Sequence, residues 1–204
     1  DGRHRNLLEI FENRAGEMEE ALEPHAVLNK TQRCLIGAYF LHEYSFEASA
    51  LFNPSIVRHP DQSGAPANGC RFILSLRAVG EGHISSLTFR SGSIDADGSV
   101  TIDPTARLAS VPRIGNRTSR PNGDDVEVVF RPDSDLSERV IFPITEAQAN
   151  GIEDARFVEF EDEGRKAFYA TYTAYSGRGI RSELLETTDF RSFRMTPMSG
   201  TATR

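Results

Sequence analysis

Four residues, Glu153-Asp154-Ala155-Arg156, place two carboxylates and a guanidinium immediately ahead of an aromatic-rich stretch that runs to Tyr175. A carboxylic acid that can protonate a leaving oxygen is the core requirement of glycosidic cleavage. Sugar hydroxyls also need donors and acceptors, and sugar faces need flat apolar rings. The polar residues that punctuate the chain supply these types: Asn53, Arg77, Ser86, Glu153, Arg156 and Tyr175 are the candidate substrate contacts. Each has a plainer reading. Asp154 could pair with Arg156 or cap a turn, and Glu153 could orient Arg156. Asn53 before Pro54 is a turn signal, and Arg77 could be an arginine lying along its strand end. His83 has no second His or Cys at ligand spacing, so no metal is expected.

Elements must bring these residues together. Leu7, Phe11, Met18 and Leu22 recur at helical spacing, which predicts a helix over 6–23 broken by Pro24. A second helix is predicted from Asn29 or Thr31, with an apolar face of Cys34, Leu35, Ala38, Tyr39 and His42, ending before Asn53-Pro54. After residue 50 the period becomes alternating. Strands are predicted at 71–78, 83–92 and 126–130, an Asp-Gly hairpin within 93–103, and two strands within 155–175 joined at Glu163-Gly164. Residues 179–195 read as a strand, a turn and a short strand. Residues 104–124, rich in Pro, Arg, Asn and Gly, read as a long surface loop. Along 169–175, alternation puts Tyr169 and Tyr175 on one face and Tyr172 on the other. The segments following Asn53-Pro54 and Glu153-Asp154 share one layout, as two copies of a four-stranded unit would.

Composition bounds the rest. With 204 residues, 38% hydrophobic and 26% charged, the chain can bury a core and is too apolar for disorder. A net charge of −7 disfavours nucleic-acid or anionic-membrane partners. No apolar run approaches the roughly 20 residues of a membrane helix. No signal peptide is visible, although the sequence begins at Asp1 and not at Met. Cys34 and Cys70 read as buried thiols, which suggests a reducing, cytoplasmic setting.

Taken together, Phe52-Asn53-Pro54, the strand-end Arg77, Glu153-Asp154-Ala155-Arg156 and the 184–190 segment LLETTDF resemble glycoside hydrolase family 130, the mannoside phosphorylases and related hydrolases. The resemblance covers roughly 50–195; Ala155 stands where the family has proline. It implies a mainly β chain: about two blades of a five-bladed β-propeller over 46–204, preceded by an N-terminal helical segment over 1–45. It implies that Asp154 is the general acid for inverting cleavage of a β-mannoside in a mannose-containing oligosaccharide, with Asn53 and Arg77 holding the sugar. No cofactor is implied, and inorganic phosphate is the co-substrate if the reaction is phosphorolysis. The remaining blades are expected beyond Arg204, or homo-oligomer contacts in their place. The alternative is a propeller that binds carbohydrate or a protein partner without catalysis.

Overall fold

Helical spacing and one close approach decide the N-terminal elements. A computed structural model of the chain describes residues 4–18, 27–121 and 123–203, in two units, Asp1–Tyr44 and Ser45–Arg204. In the first unit α1 spans Leu7–Met18 and α2 spans Lys30–Tyr39. Leu7, Phe11 and Met18 are half-buried, as their stripe predicts; Leu22 and Pro24 lie outside the described residues. Asn29 caps α2: its Oδ1 accepts from the Gln32 amide at 3.0 Å, and Gln32 Oε1 accepts from the Asn29 amide at 3.0 Å. The predicted α2 face needs correction. Gly37 is buried, and a Cβ there would collide with the Phe11 backbone. That approach fixes the rotation of the helix. Leu35 and Tyr39, each two residues from Gly37 and so on the opposite side, are exposed, and His42 lies past the helix end.

The second unit is built of strands, so the chain is mainly β. They are β1 (Ala50–Arg58), β2 (Cys70–Val79), β3 (Ser85–Ile94), β4 (Val100–Ile102), β5 (Arg113–Arg120), β6 (Gly123–Val129), β7 (Val140–Ile141), β8 (Gly151–Asp162), β9 (Arg165–Tyr175), β10 (Ile180–Thr187) and β11 (Ser192–Pro197). Among the described residues they form one mixed sheet of 11 strands, in the order β1-β2-β3-β8-β9-β10-β11-β6-β5, with β4 and β7 also on β3. Two meanders are thereby joined, because β3 meets β8 through a single parallel pair, Ser85 with Gly151.

Two segments depart from expectation. The second helix ends before Asn53-Pro54, as expected, but already at Tyr39, and Asn53-Pro54 lies inside β1 because pairing with β2 outweighs the local turn signal. Part of the predicted loop 104–124 is β5, an edge strand exposed along its whole length. With no buried face it carries no alternation to read. Both cysteines are free and half-buried, not fully buried. No described helix is long and apolar enough to cross a membrane.

The core is shared by both meanders. Ile73, Leu87 and Phe89 from the first pack with Phe157, Phe168 and Phe193 from the second. Phe89 is fully buried, with ring centroids 5.6 Å from Phe193, 5.8 Å from Phe190 and 6.3 Å from Phe157. Truncating it removes a large ring from a close-packed site. Phe89→Ala is expected to lower unfolding free energy by about 3–5 kcal/mol in urea denaturation; a loss below about 1 kcal/mol would mean that the two meanders do not share this core.

Candidate functional site

Asn53 and Asp154 occupy the same structural position in the two meanders. In β1–β2, Phe52 pairs with Arg77 and Ser55 with Ser75, so β1 carries one extra residue. In β8–β9, Glu153 pairs with Thr173 and Arg156 with Thr171, again with one extra residue. Each is a β-bulge, two residues opposite one, whose first residue is left-handed, with φ of 52° at Asn53 and 54° at Asp154. Asn and Asp are the non-glycine residues that tolerate this conformation best, because a short polar side chain can bond locally. The bulge also explains how Pro54 can sit inside a strand, since a bulged residue leaves the ladder.

The two bulges face one another and clasp. Asn53 Nδ2 donates to Asp154 Oδ1 at 2.6 Å, Arg156 Nη1 to the Pro54 carbonyl at 2.7 Å, and the Phe157 amide to Ser55 Oγ at 2.9 Å. Arg77 reaches the group from β2. Its Nη2 donates to Glu153 Oε1 at 2.5 Å, its Nη1 to Asp154 Oδ1 at 3.5 Å and its Nε to Ser85 Oγ at 2.9 Å. Its carbon centre lies 5.2 Å from the centroid of the Phe52 ring. Asn53, Arg77, Glu153, Asp154 and Arg156 are therefore one contact group, although Asn53 and Asp154 are 101 residues apart.

The detail differs from the plain readings in the sequence. Asp154 pairs with Arg77 and not with Arg156, and Glu153 pairs with Arg77 as well. The two terminal nitrogens of Arg77 are thus directed at protein acids, and Arg156 ties β8 to β1. Asp154 keeps 42% of its side chain exposed. Both its bonds fall on Oδ1, and among the described residues none falls on Oδ2. That oxygen is the free valence of the group.

Two candidates stand apart from the clasp. Ser86 is buried on the face of β3 opposite to Ser85, and among the described residues its hydroxyl has no partner. Tyr175 pairs with Gly151, two positions before Glu153, and is half-buried on the face of β9 that carries Thr173. Tyr172 takes the other face and is buried, as alternation predicts. A concavity of about 500 Å³, lined in part by Arg58, Cys70, Phe72 and Asp95, opens at the far end of β1 and does not include the clasp. Among the described residues no cluster of three or more His, Cys, Asp or Glu could hold a metal ion.

A buried polar network braces the turn that feeds β8, and the sequence reading did not anticipate it. Gln148, in the turn Glu146–Gln148, donates through Nε2 to Tyr172 Oη at 2.9 Å and to Glu183 Oε2 at 2.7 Å. Its Oε1 accepts from the Ile144 amide at 2.9 Å. Tyr172 donates to Glu183, and Arg181 Nε reaches Glu183 Oε1 at 2.6 Å. Two signals were available: Thr145 and Gln148 have capping-box spacing, and Glu183 falls in register with the core residue Leu185.

No family model, no curated protein and no solved structure matches this chain.

Burial, reinforced by the Glu183 carboxylate, holds the Tyr172 phenol well above its ordinary value of about 10. Folding therefore favours the protonated phenol. Its contribution is complete below the unfolded value near pH 10 and is lost as the pH rises through the folded value. Tyr172→Phe should cost about 1–3 kcal/mol at pH 7 by removing the buried phenol's bonds to Gln148 and Glu183. Above about pH 10 the stability gap to wild type should narrow. Chemical denaturation of both proteins from neutral to alkaline pH tests this, and a gap that widens would contradict it.

Proposed function

We propose that the chain belongs to an enzyme that cleaves β-mannosides with inversion, by phosphorolysis or hydrolysis, with Asp154 as the general acid. The observation that carries this reading is the convergence of Asn53, Arg77 and Asp154, from segments 101 residues apart, on one partly exposed carboxylate. These are the residues that the family resemblance assigns to the sugar-binding and acid positions. The bulge presents Asp154 with Oδ1 fixed by two donors and Oδ2 uncommitted. In this reading Oδ2 faces a sugar hydroxyl and delivers the proton through it to the glycosidic oxygen. Phosphate or water attacks the anomeric carbon from the opposite side. Asn53 keeps an amide oxygen for a sugar hydroxyl, and Tyr175 offers a ring at the edge of the group. Arg77 acts on the sugar indirectly, by orienting Glu153 and Asp154. The setting is cytoplasmic, and no cofactor takes part beyond phosphate as a co-substrate.

The fold reading that goes with it is a β-propeller, of which the two meanders are blades. Their identical bulges and register support a head-to-tail repeat. By that register Ile73 of β2 corresponds to Tyr169 of β9. Ile73 is buried in the shared core, whereas the sheet face of Tyr169 also carries the exposed Val158 and Phe160. A propeller places a further blade on that face.

Asp154→Asn keeps the shape and one hydrogen-bonding oxygen but has no acidic proton. Its turnover of the best mannoside is expected to fall by about 10²–10⁴-fold while calorimetric sugar binding persists. Initial rates over a mannoside panel, with and without inorganic phosphate, are the measurement. Near-wild-type rates for Asp154→Asn would remove Asp154 from the acid role. A wild type that binds mannosides but cleaves none would make the protein a carbohydrate-binding propeller instead.

A further inference from the structure

Arg77 is held on three sides. Its two terminal nitrogens go to Glu153 and Asp154, and its carbon centre lies over the Phe52 ring. Among the described residues the one bond it makes away from the acids is Nε to Ser85 Oγ, at 2.9 Å. Ser85 is fully buried, opens β3, and is the residue at which the first meander meets the second, paired with Gly151. Gly151 has φ of 152°, and a Cβ on it would stand 3.0 Å from Ser85 Cβ and 3.4 Å from its Oγ. Glycine there leaves Ser85 the room it occupies beside Arg77.

We infer that Ser85 is a positioning residue for Asp154, acting through Arg77. The guanidinium is a rigid planar fork, so fastening Nε fixes where both Nη groups point. The Phe52 ring, 5.2 Å away, attracts the cation but supplies no directional bond to fix its rotation. Without the Ser85 oxygen the fork is free to turn toward Glu153, where it already makes its shorter bond, 2.5 Å against 3.5 Å to Asp154. Asp154 would then keep Asn53 as its remaining donor. Ser85 also sits at the junction of the meanders, so it couples the placement of the acid to the register in which β3 and β8 meet. The kinetic consequence rests on the mannoside reading; the placement of Arg77 does not.

The test uses the whole chain with Ser85→Ala and Ser85→Cys. Cysteine fills nearly the same space with a much weaker acceptor, so it carries both readouts if the alanine variant does not fold. The first readout needs no substrate. In nitrogen-edited NMR the Arg77 Nε–H should exchange slowly in wild type and on the order of tenfold faster in the variants, and the Asp154 carboxyl carbon resonance should move. The second is steady-state kinetics on a mannoside that the wild type cleaves. There kcat should fall by on the order of 10- to 100-fold while KM stays within about twofold. Unchanged Arg77 exchange and an unmoved Asp154 resonance overturn the inference whatever the substrate. Altered spectra with wild-type kcat overturn it too, because Asp154 would then not depend on this anchor. If the wild type cleaves no mannoside, the function proposed above fails and the spectra alone decide on Ser85.

Discussion

Two strands that do not pair with each other, β1 and β8, are held together here by side chains that leave the regular pleat. What turns them out of it is a left-handed residue at a bulge, used twice, at Asn53 and Asp154. In a regular strand, alternation would send their neighbours to fixed faces. The bulge adds one residue and re-aims the side chain at the position where it occurs. Because both bulges occupy the same register, the side chains they re-aim meet, and Asn53 donates to Asp154 at 2.6 Å. The rest follows from that meeting: Arg156 can reach the Pro54 carbonyl, and the Phe157 amide finds Ser55.

The same geometry governs the charges. Glu153 and Asp154 are adjacent carboxylates, and like charges at close range repel. Arg77 stands opposite Phe52 in the first meander, where its counterpart in the second is Thr173. The bulge and its register therefore recur in the backbone, while the side chains differ. One copy supplies the amide and the cation, the other the two acids. The side chains of Arg77 and Glu153 are only 20% and 24% exposed, so solvent screens this pair less than an open surface bridge. Behind it, the Gln148–Tyr172–Glu183 network fixes the turn from which β8 departs.

Much of this was legible in the sequence, and the limits have physical causes. Alternation marked the strands with one buried face, and Glu163-Gly164 marked the β8–β9 turn. β5 escaped because both of its faces meet solvent. β1 was hidden because Asn53-Pro54 reads locally as a turn, and the bulge that admits it depends on pairing with β2. The members of the candidate site were identified from residue types, but their partners were not. Asp154 precedes Arg156 by two residues, yet its cation is Arg77, 77 residues away. Side-chain direction at a bulge is set by backbone conformation, which residue spacing does not record.

The claim on which everything else depends is that Asn53 and Asp154 are coupled across the two bulges. A double-mutant cycle measures it directly, with Asn53→Gly, Asp154→Gly and the double variant compared by denaturant unfolding. Glycine keeps the left-handed backbone available, so the cycle isolates the side-chain bond. The expected coupling free energy is at least about 0.5 kcal/mol, favourable and weakened by salt only modestly. Strict additivity of the two single substitutions would contradict the account.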